Sequence, residues 1–199
     1  MHKDSNWRLQ AALWTRRPHR VEYLPMEWKV ISTETILKLH RGSVHRRRYE
    51  LPHGKQADFH IMEGGGSVTC LALTKTGDVI LAKQYRPGPG KVLIELPGGS
   101  LEPGEDRVAA AARELLEETG YRGNVQYVAS SVPSAYVTYL KHAFVAVDCV
   151  KVQESMVETN GEELECVLMS LADFRKHLRS GELTDVEVGY LGLDFLGLL

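Results

Sequence analysis

The stretch from Gly99 to Tyr121, GSLEPGEDRVAAAARELLEETGY, constrains this chain more than any other. It opens in a glycine-rich turn and runs straight into a segment loaded with carboxylates. Val108, Ala111, Ala112, Leu115 and Leu116 recur at or near spacings of three and four, the period of a helix with one apolar face. Pro103-Gly104 supplies turn chemistry ahead of it and Thr119-Gly120 a glycine C-cap behind it, which predicts a helix of about four turns.

Glu114, Glu117 and Glu118 stand at i, i+3 and i+4, so their side chains converge within roughly 5 to 6 Å on one helix face. Glu105, just over two turns before Glu114, can join them from the helix start. Like charges so placed repel unless a cation sits among them. Carboxylate oxygens are hard ligands, and a cluster that keeps some waters suits Mg²⁺ or Mn²⁺ better than zinc. Arg113 can orient one glutamate or neutralise part of the cluster. Taken alone, Glu-x-x-Glu-Glu is an ordinary solvated helix face. The conjunction of Gly99, Glu105, Arg113, Glu114, Glu117, Glu118 and Gly120 in one register is not. At residue frequencies of roughly 5 to 7%, those positions match by chance about once in 10⁸ to 10⁹ starting points.

That register resembles the signature of the Nudix hydrolases, G-x5-E-x7-R-E-U-x-E-E-x-G-U, where U is a bulky apolar residue. Leu115 fills the first U; Tyr121 stands where Ile, Leu or Val is usual, and its ring can still pack. The resemblance implies an α/β protein, an α/β/α sandwich with a mixed central sheet. Its loop-helix-loop would bind metal ions and the pyrophosphate of a nucleoside diphosphate linked to another group, with water attacking phosphorus. Glu114 and Glu118 would then bind metal directly, with Glu117 a ligand or a group behind them and the Gly98 carbonyl completing the set. Mg²⁺ is the expected ion and Mn²⁺ the alternative.

The rest of the chain narrows the class. At 199 residues it suits one domain with a sizeable core and a small appended sheet. The expected division is an extension over residues 1–25, a small antiparallel β unit over 26–63, and the Nudix-like domain over 64–199. A net charge of −2 gives no basic field for wrapping nucleic acid, so a small-molecule nucleotide is the expected partner. Cys70, Cys149 and Cys166 lie in apolar, strand-like text with no C-x-x-C spacing and read as buried thiols in a reducing, cytoplasmic setting. No run reaches the roughly 18 apolar residues that span a membrane. Near the N-terminus a short apolar run gives way to charges, unlike a secretory signal, and Asp4 argues against a transit peptide.

Short strands are expected at Trp28–Leu37, Ser43–Leu51 and Asp58–Met62, broken by His40-Arg41-Gly42 and Pro52-His53-Gly54. His45 to Arg48 is a basic tract, read either as a solvated edge strand or as the source of one arginine for a phosphate. Such a sheet ahead of the box resembles the sugar-nucleotide (ADP-ribose pyrophosphatase) branch. There it helps build a homodimer, and an aromatic residue stacks on the nucleobase; Trp28 is the candidate. A hairpin of Ser67–Thr74 and Val79–Tyr85 across Thr76-Gly77-Asp78 follows. The text from Gln84-Tyr85-Arg86 to Glu95-Leu96-Pro97-Gly98-Gly99 resembles that branch's Q-Y-R and E-x-P-A-G, with Gly98 in place of alanine. Arg86 would contact phosphate, its planar fork matching the oxygens. Glu95 would bind substrate or brace the loop.

Beyond the box, Val125–Val132 and His142–Val150 read as strands of the central sheet. Between them Pro133 opens a loop that resembles the branch's S-P-G-x-[ST]-x-E, with Ala135 for the glycine and no glutamate. Pro133 would lie against substrate. Tyr136 and Tyr139 keep a dinucleoside polyphosphate branch open. Of the acidic stretch Glu154–Glu165, Glu162 and then Glu163 match the glutamate that orients or deprotonates the water. Leu171–Leu199 reads as two helices divided near Ser180-Gly181, with His177 a surface or satisfied residue. The resulting expectation is a Mg²⁺-dependent hydrolase of a nucleoside diphosphate sugar, ADP-ribose first. Dinucleoside polyphosphates, oxidised nucleotides or capped RNA are the alternative substrates, and a silent nucleotide sensor is the alternative class.

Overall fold

The computed structural model describes residues 27–155 and 164–199; the extension before Glu27 and the stretch holding Glu162 and Glu163 lie outside them. Three strands, β1 (Lys29–Leu39), β2 (Gly42–Glu50) and β3 (Gln56–Glu63), form a small antiparallel sheet in that order. The basic tract therefore sits on the central strand, not on an edge. Its charges are met across the ladder: Arg46 lies opposite Glu34 and bonds it at 2.5 Å, and Arg48 lies opposite Asp58 and forks onto it at 2.7 and 2.9 Å. Arg47 reaches Glu63 at 3.5 Å.

The larger sheet is mixed. β4 (Ser67–Thr74) runs parallel to β9 (Lys141–Lys151), which pairs with β8 (Tyr121–Ser131); β5 (Val79–Arg86) lies between β4 and β10 (Leu164–Met169). The β4–β5 hairpin forms, but the strands pair only at Ala72–Ile80 and Leu73–Val79 before they separate. Into the wedge come β6 (Lys91–Glu95), which pairs with the end of β5, and β7 (Gly98–Ser100), which pairs with the start of β4. Pro97 continues the ladder by accepting from Cys70 N at 2.9 Å. The splayed hairpin delivers Gly98 and Gly99 to the middle of the sheet end. Gly98 must be glycine at this spot, because a Cβ would lie 2.4 Å from the Val68 carbonyl oxygen.

Helix α1 (Arg107–Thr119) covers one face. Asp106 caps its start, accepting from Val108 N and Ala109 N at 3.0 Å each. The buried stripe is Ala110, Ala111, Glu114, Leu115 and Glu118, whereas Val108 is exposed. This corrects the expected apolar face, whose register is turned so that two glutamates point inward at its edge. Below the helix lie Val68, Cys70, Ala72, Ile80, Phe144 and the ring of Tyr121. Cys149 joins them, its thiol pushed up to about 11 by burial. All three cysteines are unpaired.

On the other face, α2 (Leu171–Ser180) and α3 (Val186–Phe195) bury Phe174, Leu178, Val188 and Leu193 against Leu71, Leu81 and Val145. His177 on α2 is satisfied, hydrogen-bonded to the Ile94 carbonyl at 2.7 Å. Helices thus flank the mixed sheet on both sides, as an α/β/α sandwich. The small sheet is tied to it at the end of β3: Met62 N donates to Tyr136 O at 2.8 Å and Thr138 N to Met62 O at 3.0 Å. No helix among the described residues is long and apolar enough to cross a membrane.

Gly120 ends α1 at φ +76°, and a Cβ there would fall 2.0 Å from the Gln153 carbonyl oxygen, itself part of the backbone. Left-handed strain and clash act together, so Gly120→Ala is expected to destabilise by about 1–3 kcal/mol. Urea unfolding measures this, and an unchanged midpoint would contradict the geometry.

Candidate active site

The site is built from α1 outward. Arg113, one turn before Glu117, turns in among its carboxylate neighbours. Its guanidinium forks onto Glu105, Nε to Oε1 at 2.9 Å and Nη2 to Oε2 at 3.1 Å, while Nη1 donates to Glu114 at 2.9 Å and Glu117 at 3.0 Å. The fork holds the Glu105 carboxyl below the usual carboxylate range, and the three acids raise Arg113 above its ordinary value. Three carboxylates thus surround one cation.

The fourth carboxylate turns to the loop. Glu118 is buried and accepts from Gly98 N at 2.8 Å. Glu114 is also buried, and its carboxylate lies where a side chain on Gly99 would be, with Oε1 2.4 Å from that missing Cβ. Gly99 is open space for a carboxylate, which is what the box requires of it. Gly98, Glu114, Glu117 and Glu118 are therefore brought together, with Glu105 and Arg113.

The donor set suits a hard divalent cation. Glu114 and Glu117 already converge on a single positive nitrogen, and Glu117 keeps 38% of its side chain exposed. Among the described residues, no three acidic, His or Cys side chains are themselves arranged around an empty metal position; they are arranged around Arg113 instead.

A second group lies upstream. Glu95 closes β6, is wholly buried, and receives Arg86 Nε at 2.5 Å from the end of β5. Glu95 is only three positions before Gly98, which places the two groups at most about 11 Å apart along the backbone. Of the two expected roles for Glu95, bracing is the one its burial fits. Its other oxygen accepts from Thr184 N at 3.2 Å and Thr184 Oγ1 at 2.5 Å. Thr184 carries no local sequence signal and was not expected. Gln84, on β5 with Arg86, buries an amide Nε2 with no hydrogen-bond partner among the described residues; its strand neighbour Leu164 lies within the acidic stretch, where the described residues resume.

The remaining expected residues sit toward the small sheet. Trp28 packs on Phe59 with centroids 5.4 Å apart and edge-on to Tyr49 at 5.9 Å, and Phe59 stacks with Tyr136 at 6.4 Å and 20°. This aromatic run links β1 to the loop opened by Pro133, which is exposed. A cavity of about 590 Å³ separates the β1–β2 turn from the exit of β7, with Gly42, Met62, Glu63, Ser100, Leu101 and Tyr139 in its walls. Its size fits a nucleotide-scale ligand.

Comparison with known proteins agrees with this geometry. Residues 65–186 match the NUDIX domain family. An ADP-ribose pyrophosphatase of Bacillus subtilis is 30% identical over 167 residues, covering 83% of this chain and 90% of that protein. A methanol dehydrogenase activator of Bacillus methanolicus is 28% identical over 84% of this chain and 94% of its own length. The mouse ADP-sugar pyrophosphatase is 57% identical over 47 residues, 24% of this chain and 22% of that one. The fold superposes on the crystal structure of an ADP compounds hydrolase with a TM-score of 0.73 and 20% identity, covering 89% of this chain and all of the other. With the signature in register, its carboxylates gathered on α1 and the sandwich around them, the chain belongs to the NUDIX domain family.

Proposed function

We propose that this protein is a Mg²⁺-dependent pyrophosphohydrolase of a nucleoside diphosphate sugar, with ADP-ribose split to AMP and ribose 5-phosphate. The observation that carries the reading is the junction at Gly98: box carboxylates on one side, the Arg86–Glu95 pair three residues upstream on the other. Two relatives named for ADP-ribose and ADP-sugar hydrolysis support the substrate class.

In this reading Glu114 and Glu118, with Glu117 and the Gly98 carbonyl, hold the divalent ion. When bound, Mg²⁺, or Mn²⁺ in its place, supplies charge neutralisation for the pyrophosphate and a lowered pKa for water. The chain's own groups do the rest. Arg86 is tethered through Nε, so its Nη groups remain to take phosphate oxygens in a fixed direction. Glu162, or Glu163, orients the attacking water and takes its proton. The water oxygen bonds to phosphorus as the bridging P–O bond breaks, and no covalent enzyme intermediate is needed. Trp28 and Pro133 line the nucleotide's path, the former by stacking.

Glu118→Gln is expected to lower kcat at least about 100-fold while leaving the melting curve unchanged. Activity within a few-fold of wild type would sink the assignment of that ligand. Release of AMP from ADP-ribose, measured beside GDP-mannose, UDP-glucose and diadenosine polyphosphates with and without Mg²⁺, tests substrate and metal together. Preference for ADP-ribose only with metal is expected; another preferred compound moves the substrate, and silence across the panel favours a nucleotide sensor.

A homodimer and a cytoplasmic location belong to the same proposal. Three unpaired cysteines fit a reducing compartment. On the edge strand β1, Val30, Ile31, Ile36, Leu37 and Leu39 are each more than two-fifths exposed. An exposed apolar edge of this length invites a second copy. Light scattering after size exclusion is expected to give twice the chain mass for wild type and a monomer for Ile36→Glu with Leu37→Glu. A monomeric wild type would refute the assembly.

A further inference from the structure

We propose that Thr184 is a positioning residue for Arg86, acting through Glu95; this rests on reading Arg86 as the phosphate contact. Glu95 has no exposed surface, so its charge is stabilised only by the donors the fold supplies. Among the described residues there are three of them: Arg86 Nε on Oε2, and Thr184 N and Oγ1 on Oε1. One carboxylate, at the end of β6, thus bridges the end of β5 to the turn between α2 and α3, with Thr184 lying 89 residues on from Glu95. Arg86 presents five N–H donors and commits its Nε here. The orientation of its remaining fork follows the plane of Glu95, and that plane is set from the far side by Thr184.

The turn is itself held. Asp185 follows Thr184 and accepts from Thr69 Oγ1 on β4 at 3.3 Å and from Lys141 Nζ on β9 at 2.5 Å. Lys141 also reaches Glu187 at 2.8 Å. Thr69 lies opposite Gly98 in the β4–β7 pair, so the anchor of the turn and the box loop share one strand. A carboxylate held from one side only would swing with Arg86, whereas held from both it acts as a fixed mount. The C-terminal helices, which contribute nothing to the box, thereby contribute to the direction of the phosphate-binding arginine.

Thr184→Val removes the hydroxyl and keeps both the shape and the backbone donor, Thr184→Ser restores the hydroxyl, and Thr184→Ala serves if valine disturbs the turn. Arginine-selective NMR reads the mount directly, with the Arg86 Nε–H signal assigned by its loss in R86K. That proton is expected to exchange slowly in wild type and T184S and about tenfold faster in T184V, the size of one lost charge-assisted hydrogen bond. Calorimetry with ADP-ribose in EDTA, where no turnover occurs, is expected to show T184V binding about tenfold more weakly, T184S near wild type, and T184V without effect in the R86K background. Unchanged exchange in T184V overturns the inference, as does an undiminished T184V penalty in R86K. An exchange response as expected beside ADP-ribose binding that is absent with Ca²⁺ as well as in EDTA supports the mount and refutes the substrate reading instead.

Discussion

Carboxylates gathered on one helix need a cation among them, and everything else in the site follows from where that cation is. Two carboxylates about 6 Å apart repel by roughly 3 kcal/mol at an effective dielectric of 20. Arg113 answers this by standing inside the cluster, forked onto Glu105 and shared by Glu114 and Glu117. These pairs are partly exposed and individually modest in energy. Their effect is on arrangement: Glu114 and Glu117 are fixed around a positive centre before any ligand arrives. If a divalent ion takes those oxygens, the bidentate hold of Glu105 keeps Arg113 from being left unpaired. That is a physical reason for the box to contain Glu105 so far ahead of the other acids.

The cluster would face bare backbone but for the wedge between β4 and β5. A regular hairpin would close the sheet at this place. Because the strands part beyond Ala72 and Ile80, β6 and β7 enter, and the start of β7 presents Gly98 N to Glu118 and an empty Cβ position on Gly99 to Glu114. Both glycines are demanded by contact with neighbours, not by positive φ. The loop is held to strand β4 on one side and to helix carboxylates on the other, so its position is determined by the sandwich itself.

How much of this was readable before the structure follows from the range of each interaction. The extent of α1, its glycine cap, the β4–β5 hairpin and the place of Arg113 among the carboxylates are set within a few residues, and periodicity and spacing exposed them. The inward turn of Glu114 and Glu118 was not readable from apolar spacing, because a partner loop outside the helix stabilises them. Nor was the central place of β2, which depends on which strand completes the small sheet. Asp106 is a different case: an N-cap is a local signal, but the helix start was read from Pro103-Gly104 and the capping aspartate was passed over. Thr184 had no such signal, since its partner Glu95 lies 89 residues away and a lone threonine in a turn reads as solvent-facing.

These ranges also separate chemistry from specificity. The groups proposed to hold the metal are bound to one another or to β7, all within residues 98–118. Those proposed to meet the substrate itself are bound elsewhere: Trp28 to Phe59 and Tyr49, the Pro133 loop to Met62, Arg86 through Glu95 to the C-terminal turn. A substitution in the small sheet can therefore reshape the aromatic run and the loop while every hydrogen bond of Arg113 stays in place. The reverse does not hold, because loss of the Gly98–Glu118 contact would move the loop on which both groups converge. Substrate preference in such an arrangement can vary around an unchanged reaction, and the C-terminal turn is the part of the fold through which it reaches Arg86.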